Sequence, residues 1–312
     1  MSFELPATVN AVAPIRVCDI GGWTDTWFAR HGAVFNIAVY PFVEVQIRVR
    51  SWDPAAGTTV AGSTHRVEIV AETYGQSFSV DPANIAYDEH PLLEAAVDVM
   101  DLPETASLRI NIFSEAPPGA STGTSAAVAV ALLGALDRLT AGRLSQGEVA
   151  SLAHSIETEK LGLQSGIQDQ ICSAYGGVNY IEMHRFPDAT VSSLRLPDAV
   201  WWELGQRLIV VYLGFPHSSN QIHQQVIADL GEDASADPRL EELRRLADSA
   251  KDAVLCGDFE EFGGIMSRNT EQQRLLHPAL VGEKAREVLS VARDFNVLGT
   301  KVNGVGGDGG SL

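Results

Sequence analysis

No stretch limits the possible folds of this chain as tightly as residues 116–139, APPGASTGTSAAVAVALLGALDRL. After two prolines and a run of Gly, Ser, Thr and Ala, residues 125–139 read as a helix that is apolar all round until Asp137 and Arg138, with Gly142 as its stop. A helix without a polar face must be covered on all sides, which makes it the centre of a layered domain. At its mouth, small residues leave backbone N–H groups open beside the positive end of the helix dipole, an arrangement that binds phosphates. The hydroxyls of Ser121, Thr122, Thr124 and Ser125 can add hydrogen bonds or a metal ligand. A plainer reading stays open: a buried helix capped by its own Ser or Thr, with glycines for a tight turn. The loop is neither a Walker loop, for no Lys follows its last glycine, nor a G-x-G-x-x-G dinucleotide fingerprint.

Around this helix the pattern is mixed. PFVEVQIRVR (41–50) sets Val43, Val45, Ile47 and Val49 against Glu44, Gln46, Arg48 and Arg50, a strand with one wet face. SLRINIF (107–113), GGVNYIEM (176–183) and QRLIVVYL (206–213) read as further strands. Ser145 and Glu148 have capping-box spacing at the start of a helix that Gly162 can end. From about residue 238 apolar residues recur every three or four positions, the helical period. Strands and helices without strict alternation indicate an α+β fold.

The 312 residues suffice for one large domain or two ordinary ones. A net charge of −18 speaks against chain-wide affinity for nucleic acid or an anionic membrane. Cys18, Cys172 and Cys256 are odd in number and widely spaced, as reduced thiols are. The start, with Glu4, has no basic segment leading into an apolar core, and no apolar run reaches the ~18 residues of a membrane span. A cytoplasmic protein is expected; oligomeric state has no signal here.

Three more segments carry chemistry. APIRVCDIGGWTD (13–25) places Arg16 in a strand ahead of a double glycine and Asp25. ETEKLGLQSGIQDQ (157–170) places Glu157 near a helix end and Asp169 in a loop. GTKVNGVGGDGG (299–310) is a second glycine-dense loop. Each alone has an ordinary reading as a turn, a solvated acid, a cap or a tail.

Together, and in this order, they resemble the GHMP kinases, the family of galactokinase, homoserine kinase, mevalonate kinase and phosphomevalonate kinase. PPGASTGTS resembles the family's phosphate-binding motif, SGIQDQ its catalytic-aspartate segment, and the loop after Lys301 its third motif. GGWTD with HGAVFNIAV, and GIQDQICSAYGGVNYIEM, are most similar to the anomeric sugar kinases, the heptose 7-phosphate kinase and L-fucose kinase branch. The resemblance implies a two-domain α+β fold. Its parts are a ribosomal protein S5 domain 2-like unit over 1–205 and a ferredoxin-like unit over 206–312, without the closing strand and helix that the family has after its third motif.

The implied activity is ATP-dependent transfer of the γ-phosphoryl group to the anomeric hydroxyl of a sugar or sugar phosphate. The alternatives are a kinase for another small alcohol and a catalytically weak nucleotide-binding protein. On this resemblance Pro118, Gly119, Ala120, Ser121, Thr122, Gly123, Thr124 and Ser125 wrap the ATP phosphates, and Ser125 with Glu157 holds Mg²⁺. Asp169 takes the acceptor's proton, with Arg16 beside it keeping it ionised. Trp23, Thr24 and Asp25 meet the sugar; Gly304, Gly306 and Gly307 turn the backbone around it; Lys301 contacts phosphate. Departures are Ser121-Thr122 for the usual Gly-Leu, and Asp308, which would bring negative charge near the phosphates. Arg30, His31, Arg48 and Arg50 are candidates for a distal sugar phosphate, and each reads equally as surface charge.

Overall fold

The alternating segment 41–50 lies inside a strand far longer than itself, β2 (Gly32–Asp53). One edge of β2 carries β1 (Thr8–Ile20), in register from Thr8↔Arg48 to Ile20↔Phe35. The other edge is shared end to end. Its outer half pairs with β6 (Ala106–Ser114), Val43↔Ser114 to Ser51↔Ala106, and its first residues pair with β7 (Val178–Arg185), Gly32↔Met183 to Ile37↔Val178. The sheet continues past β6 through a parallel β4 (Val67–Ala71) to β5 (Gln76–Val80), and past β7 to β8 (Asp188–Ser193); a two-residue β3 (Thr58–Thr59) pairs with the end of β2. This description, from a computed structural model, covers residues 6–53, 55–59, 64–140, 142–214 and 219–312.

Three helices cover one face: α1 (Pro91–Asp98), α2 (Thr124–Asp137) and α3 (Gln146–Ser155). The main core lies between them and the sheet, with Leu132, Leu133 and Leu136 of α2 packed against Val45, Ile47 and Ile110. The central helix is thus central, although it closes at Asp137 with Arg138 as its cap and does not run on to Gly142. The capping box at Ser145 forms with both reciprocal bonds. On β2 the period of two separates two cores. Val34 joins Ile167 and Ile171 at α4 (Gln168–Tyr175), while Ala33, Phe35 and Ile37 face α7 (Pro238–Cys256) and α8 (Phe259–Leu276).

The α+β expectation holds, with one local correction. Residues 206–213, read as a strand, first finish α5 (Asp198–Arg207) and then run extended, pairing only with the last residues through the Tyr212↔Ser311 bridge and the Val211–Leu312 hydrogen bonds. Ile209, Val210 and Val211 stay exposed, because no strand among the described residues lies beside them. Most of the rest of the described part of 206–294 is helical, with α6 (Ser219–Leu230), α7, α8 and α9 (Glu283–Asp294), and residues 295–312 follow as turns joined to it by isolated bridges. All three cysteines are free; Cys18 and Cys172 are buried and Cys256 is exposed. No helix of the described residues is long and apolar enough to cross a membrane.

Candidate active site

Arg16 is placed by the strongest element available, the β1–β2 ladder, and its guanidinium is buried. Nε and Nη2 donate to the two carboxylate oxygens of Asp169 at 2.8 and 3.1 Å, and Nη1 donates to the Ser121 carbonyl. Burial alone would depress this guanidinium, but Asp169 and Asp19 beside it raise it, so the charge is secure. Asp169 is not in a loop as expected: it sits in the first turn of α4, where the helix dipole favours an acid.

The small-residue loop locks onto this pair. The Arg16 N–H donates to the Thr122 carbonyl at 2.9 Å. Gly123 is left-handed at φ 69°, and a Cβ there would lie 3.2 Å from the Asp169 carboxyl carbon. Gly123 is also the N-cap of α2, and no side chain caps the helix. That removes the plainer reading of a helix capped by its own hydroxyl and leaves the first N–H groups of α2 facing the cleft. Gly119 and Ser121 are left-handed as well; for Ser121 this is a strained state of the kind that gathers at functional sites.

These groups line a cleft of about 450 Å³, with all of Pro118–Ser125 on its wall together with Arg16, Trp23, Asp25, Glu157, Asp169 and Gly304. Glu157 reaches it because α3 ends in a π-turn, Ile156–Lys160, closed by Leu161 N–H to Ile156 O at 3.0 Å. Its Oε2 accepts from Gln170 Nε2 at 3.1 Å; its Oε1 is buried and has no protein partner. Burial pushes this carboxyl up to about 7, a rise that Asp169 reinforces and the bonds from Ser165 and Gln170 oppose. An orphaned, desolvated carboxylate oxygen on the wall that also carries Ser125 fits a hard cation such as Mg²⁺. No group of three His, Cys, Asp or Glu side chains forms a metal site among the described residues, so a cation here would share its shell with phosphate oxygens.

Asp25 is buried, and its Oδ2 accepts the Gln168 N–H at 3.1 Å. Burial raises its pKa to about 6, with the Gln168 bond opposing and Asp169 adding. Gly166 permits this approach, since a Cβ there would lie 2.0 Å from Asp25 Oδ2. Trp23 holds a left-handed backbone, and its ring lies 4.7 Å from that of His223 on α6. It lines the cleft and also packs into the small core of Val226, Leu240 and Leu276.

Several expected residues lie elsewhere. Thr24 turns away: its Oγ1 donates to the Gly21 carbonyl and accepts the Ala33 N–H, bracing the turn after β1. Gly306 and Gly307 pack under Leu280, whose carbonyl would sit 1.9 Å from a Cβ on Gly306. Lys301 does not face the cleft; it is buried, with Nζ donating to Asp19, Gln273 Oε1 and the Val302 carbonyl. Lys301 and Arg16, with the Gly304 N–H, hold Asp19 below the usual carboxylate range against its burial. Asp308 accepts the Glu283 N–H at the start of α9 and brings no charge to the loop. Arg30, His31, Arg48 and Arg50 are absent from the wall.

Sequence reasoning missed Asp19, Gln164, Ser165, Gln170 and His223 on the same wall. It also missed an apolar limb built from Ala71, Tyr74, Leu92, Leu93, Ile112 and Val128. Asp19 stood inside the segment that carries Arg16 and was legible there. The limb draws ordinary apolar residues from separate elements and has no local signature.

A model of the GHMP kinases N terminal domain matches residues 91–177, which hold the loop, Glu157 and Asp169. The mevalonate kinase of Pyrococcus furiosus is 30% identical over 316 residues, covering 96% of this chain and 87% of that protein. The chain belongs to the GHMP kinase family. The D-glycero-alpha-D-manno-heptose 7-phosphate kinase of Campylobacter jejuni is 24% identical over 203 residues, 65% of this chain and 60% of that kinase. Several curated relatives are spanned for only 30% to 62% of their own length. The crystal structure of a D-glycero-D-manno-heptose 1-phosphate kinase from Bacteriodes thetaiotaomicron superposes with a TM-score of 0.71 at 23% identity, over 96% of this chain and 86% of that one, and shares the GHMP fold.

Proposed function

We propose that this GHMP kinase is an ATP-dependent sugar kinase that phosphorylates an anomeric hydroxyl. One observation carries the reading: the Asp169 carboxylate, paired with Arg16, lies against the backbone of the uncapped loop at the mouth of α2. Phosphoryl transfer asks the protein for alignment and charge neutralisation more than for covalent help. In this reading the first N–H groups of α2, which no side chain caps, grip the triphosphate, and the apolar limb holds the base. Ser125 and Glu157 would hold a Mg²⁺ ion, which would supply charge neutralisation for the phosphates. The acceptor oxygen bonds to the γ-phosphorus as the bond to the β–γ bridging oxygen breaks. That oxygen leaves with ADP, and the acceptor proton passes to Asp169. Arg16 acts by position: its fork fixes both Asp169 oxygens and ties them to Ser121 in the loop.

The test is a panel of reducing sugars with ATP and Mg²⁺, with the product examined by phosphorus NMR. The expected product shows phosphorus coupling to the anomeric proton. A phosphoester at another carbon removes the anomeric assignment; ATP binding without turnover on any alcohol removes the kinase reading.

A further inference from the structure

The part of the cleft left for an acceptor is poor in cations. Among the described residues on its wall, Arg16 is the only Lys or Arg, against four acids, Asp19, Asp25, Glu157 and Asp169. The Arg16 charge is committed: Nε and Nη2 are paired with the Asp169 carboxylate and Nη1 is on the Ser121 carbonyl, three of its five N–H donors. Lys301 spends its ammonium behind the wall, on Asp19. Arg30, which follows Asp25 in the chain, is off the wall and faces Asp233 at 4.0 Å with both side chains more than half exposed.

A carboxylate or phosphate on the acceptor would find no Lys or Arg outside an ion pair among the described residues of this wall, and would lose solvent beside the buried Asp25 carboxyl, a costly placement that disfavours it. The net charge of −18 adds to that field. An uncharged polyol meets suitable groups instead. The buried Asp25 carboxylate can accept from its hydroxyls, Gln164 and Ser165 offer an amide and a hydroxyl, and the Trp23–His223 ring pair offers a surface for its C–H face. We propose that the acceptor is an uncharged monosaccharide, and that this chain rejects sugar phosphates and hydroxy acids. The proposal rests on the kinase reading above and separates the chain from relatives named for a heptose phosphate and for mevalonate.

The experiment compares kcat/KM of the chain, with ATP and Mg²⁺, for neutral hexoses and deoxyhexoses, for the same sugars carrying a terminal phosphate, and for mevalonate. The best neutral sugar should exceed its phosphorylated counterpart and mevalonate by about 100-fold or more, the range in which an unpaired charge discriminates. A phosphorylated sugar or mevalonate that outperforms every neutral sugar overturns the proposal. Calorimetry on the parent chain, with an unreactive ATP analogue present, gives a second readout that needs no turnover and keeps the Arg16–Asp169 pair intact. Binding of a neutral sugar with none of its phosphate supports the acceptor class even where the parent chain turns nothing over, and in that case only the kinase reading falls. The reverse preference in binding overturns the acceptor class alone.

Discussion

The two glycine-bearing loops, 117–125 and 299–310, have opposite duties. In the first, left-handed Gly119, Ser121 and Gly123 turn backbone toward the cleft and leave the mouth of α2 uncapped. In the second, the chain is drawn inward. Asn303 accepts from Cys18 N–H and donates to Ser311, Gly304 N–H donates to Asp19, Gly306 lies under Leu280, and Asp308 caps α9. The loops meet at Gly304, where a Cβ would be 3.0 Å from the Ser121 carbonyl. Glycine thus serves exposure of donors in one loop and close burial of backbone in the other. The presence of glycine cannot tell the two duties apart, because only the neighbours decide which it serves.

Five single substitutions and one double substitution test this contrast and the site around it. Asp169→Asn, beside the first loop, should lower kcat by ~10²–10⁴-fold, the usual worth of a general base, while calorimetry finds ATP affinity within about twofold of the parent. Wild-type turnover on the best acceptor would end the base assignment. Lys301→Met strands Asp19 without its ammonium and should cost ~3–5 kcal/mol in urea unfolding, with Asp19→Asn/Lys301→Met recovering much of it. If Lys301→Met instead kept its stability and raised the KM for ATP, the second loop would be a phosphate contact after all.

The paired alanine variants are milder. Gly123→Ala forces an L-residue into a left-handed backbone against Asp169, at a cost of ~1–2 kcal/mol, and should raise the KM for ATP by about tenfold. Gly306→Ala should destabilise by at least as much and leave the KM of surviving enzyme within about twofold. Equal KM effects from both would erase the difference between the loops.

The smallest effect concerns pH. Glu157 holds its proton more tightly folded than unfolded, so its stabilising contribution is present at acid pH and is lost as pH rises from 4.5 through about 7. Without Mg²⁺, Glu157→Gln should therefore flatten the fall in melting temperature from about pH 5 to about pH 8. An unchanged slope, together with an unchanged Mg²⁺ titration, would remove Glu157 from the metal shell.

What could be read from the chain was local. The apolar circumference of 125–139, the alternation of 41–50 and the capping box at Ser145 each depend on residues a few positions apart, and each recurs in the structure. Arg16, Glu157 and Asp169 were legible through the segments around them, and all three line the cleft. The strand expected at 206–213 was not, since a run of β-branched residues becomes a ladder only beside a neighbour, and its neighbour here is a few terminal residues. Nor was the π-turn that aims Glu157, which inserts one residue into a helix whose sequence reads as regular.

By itself the sequence determined that an all-apolar helix with an open, small-residue mouth must sit at the centre of a mixed sheet-and-helix domain, because burial and backbone donors follow from nearby residues. The tertiary structure alone decided where two buried charges went: Lys301 inward to Asp19 and Arg16 to Asp169. Ion pairing depends on distances between residues 153 and 282 positions apart, and such distances exist only once the sheet has brought them together.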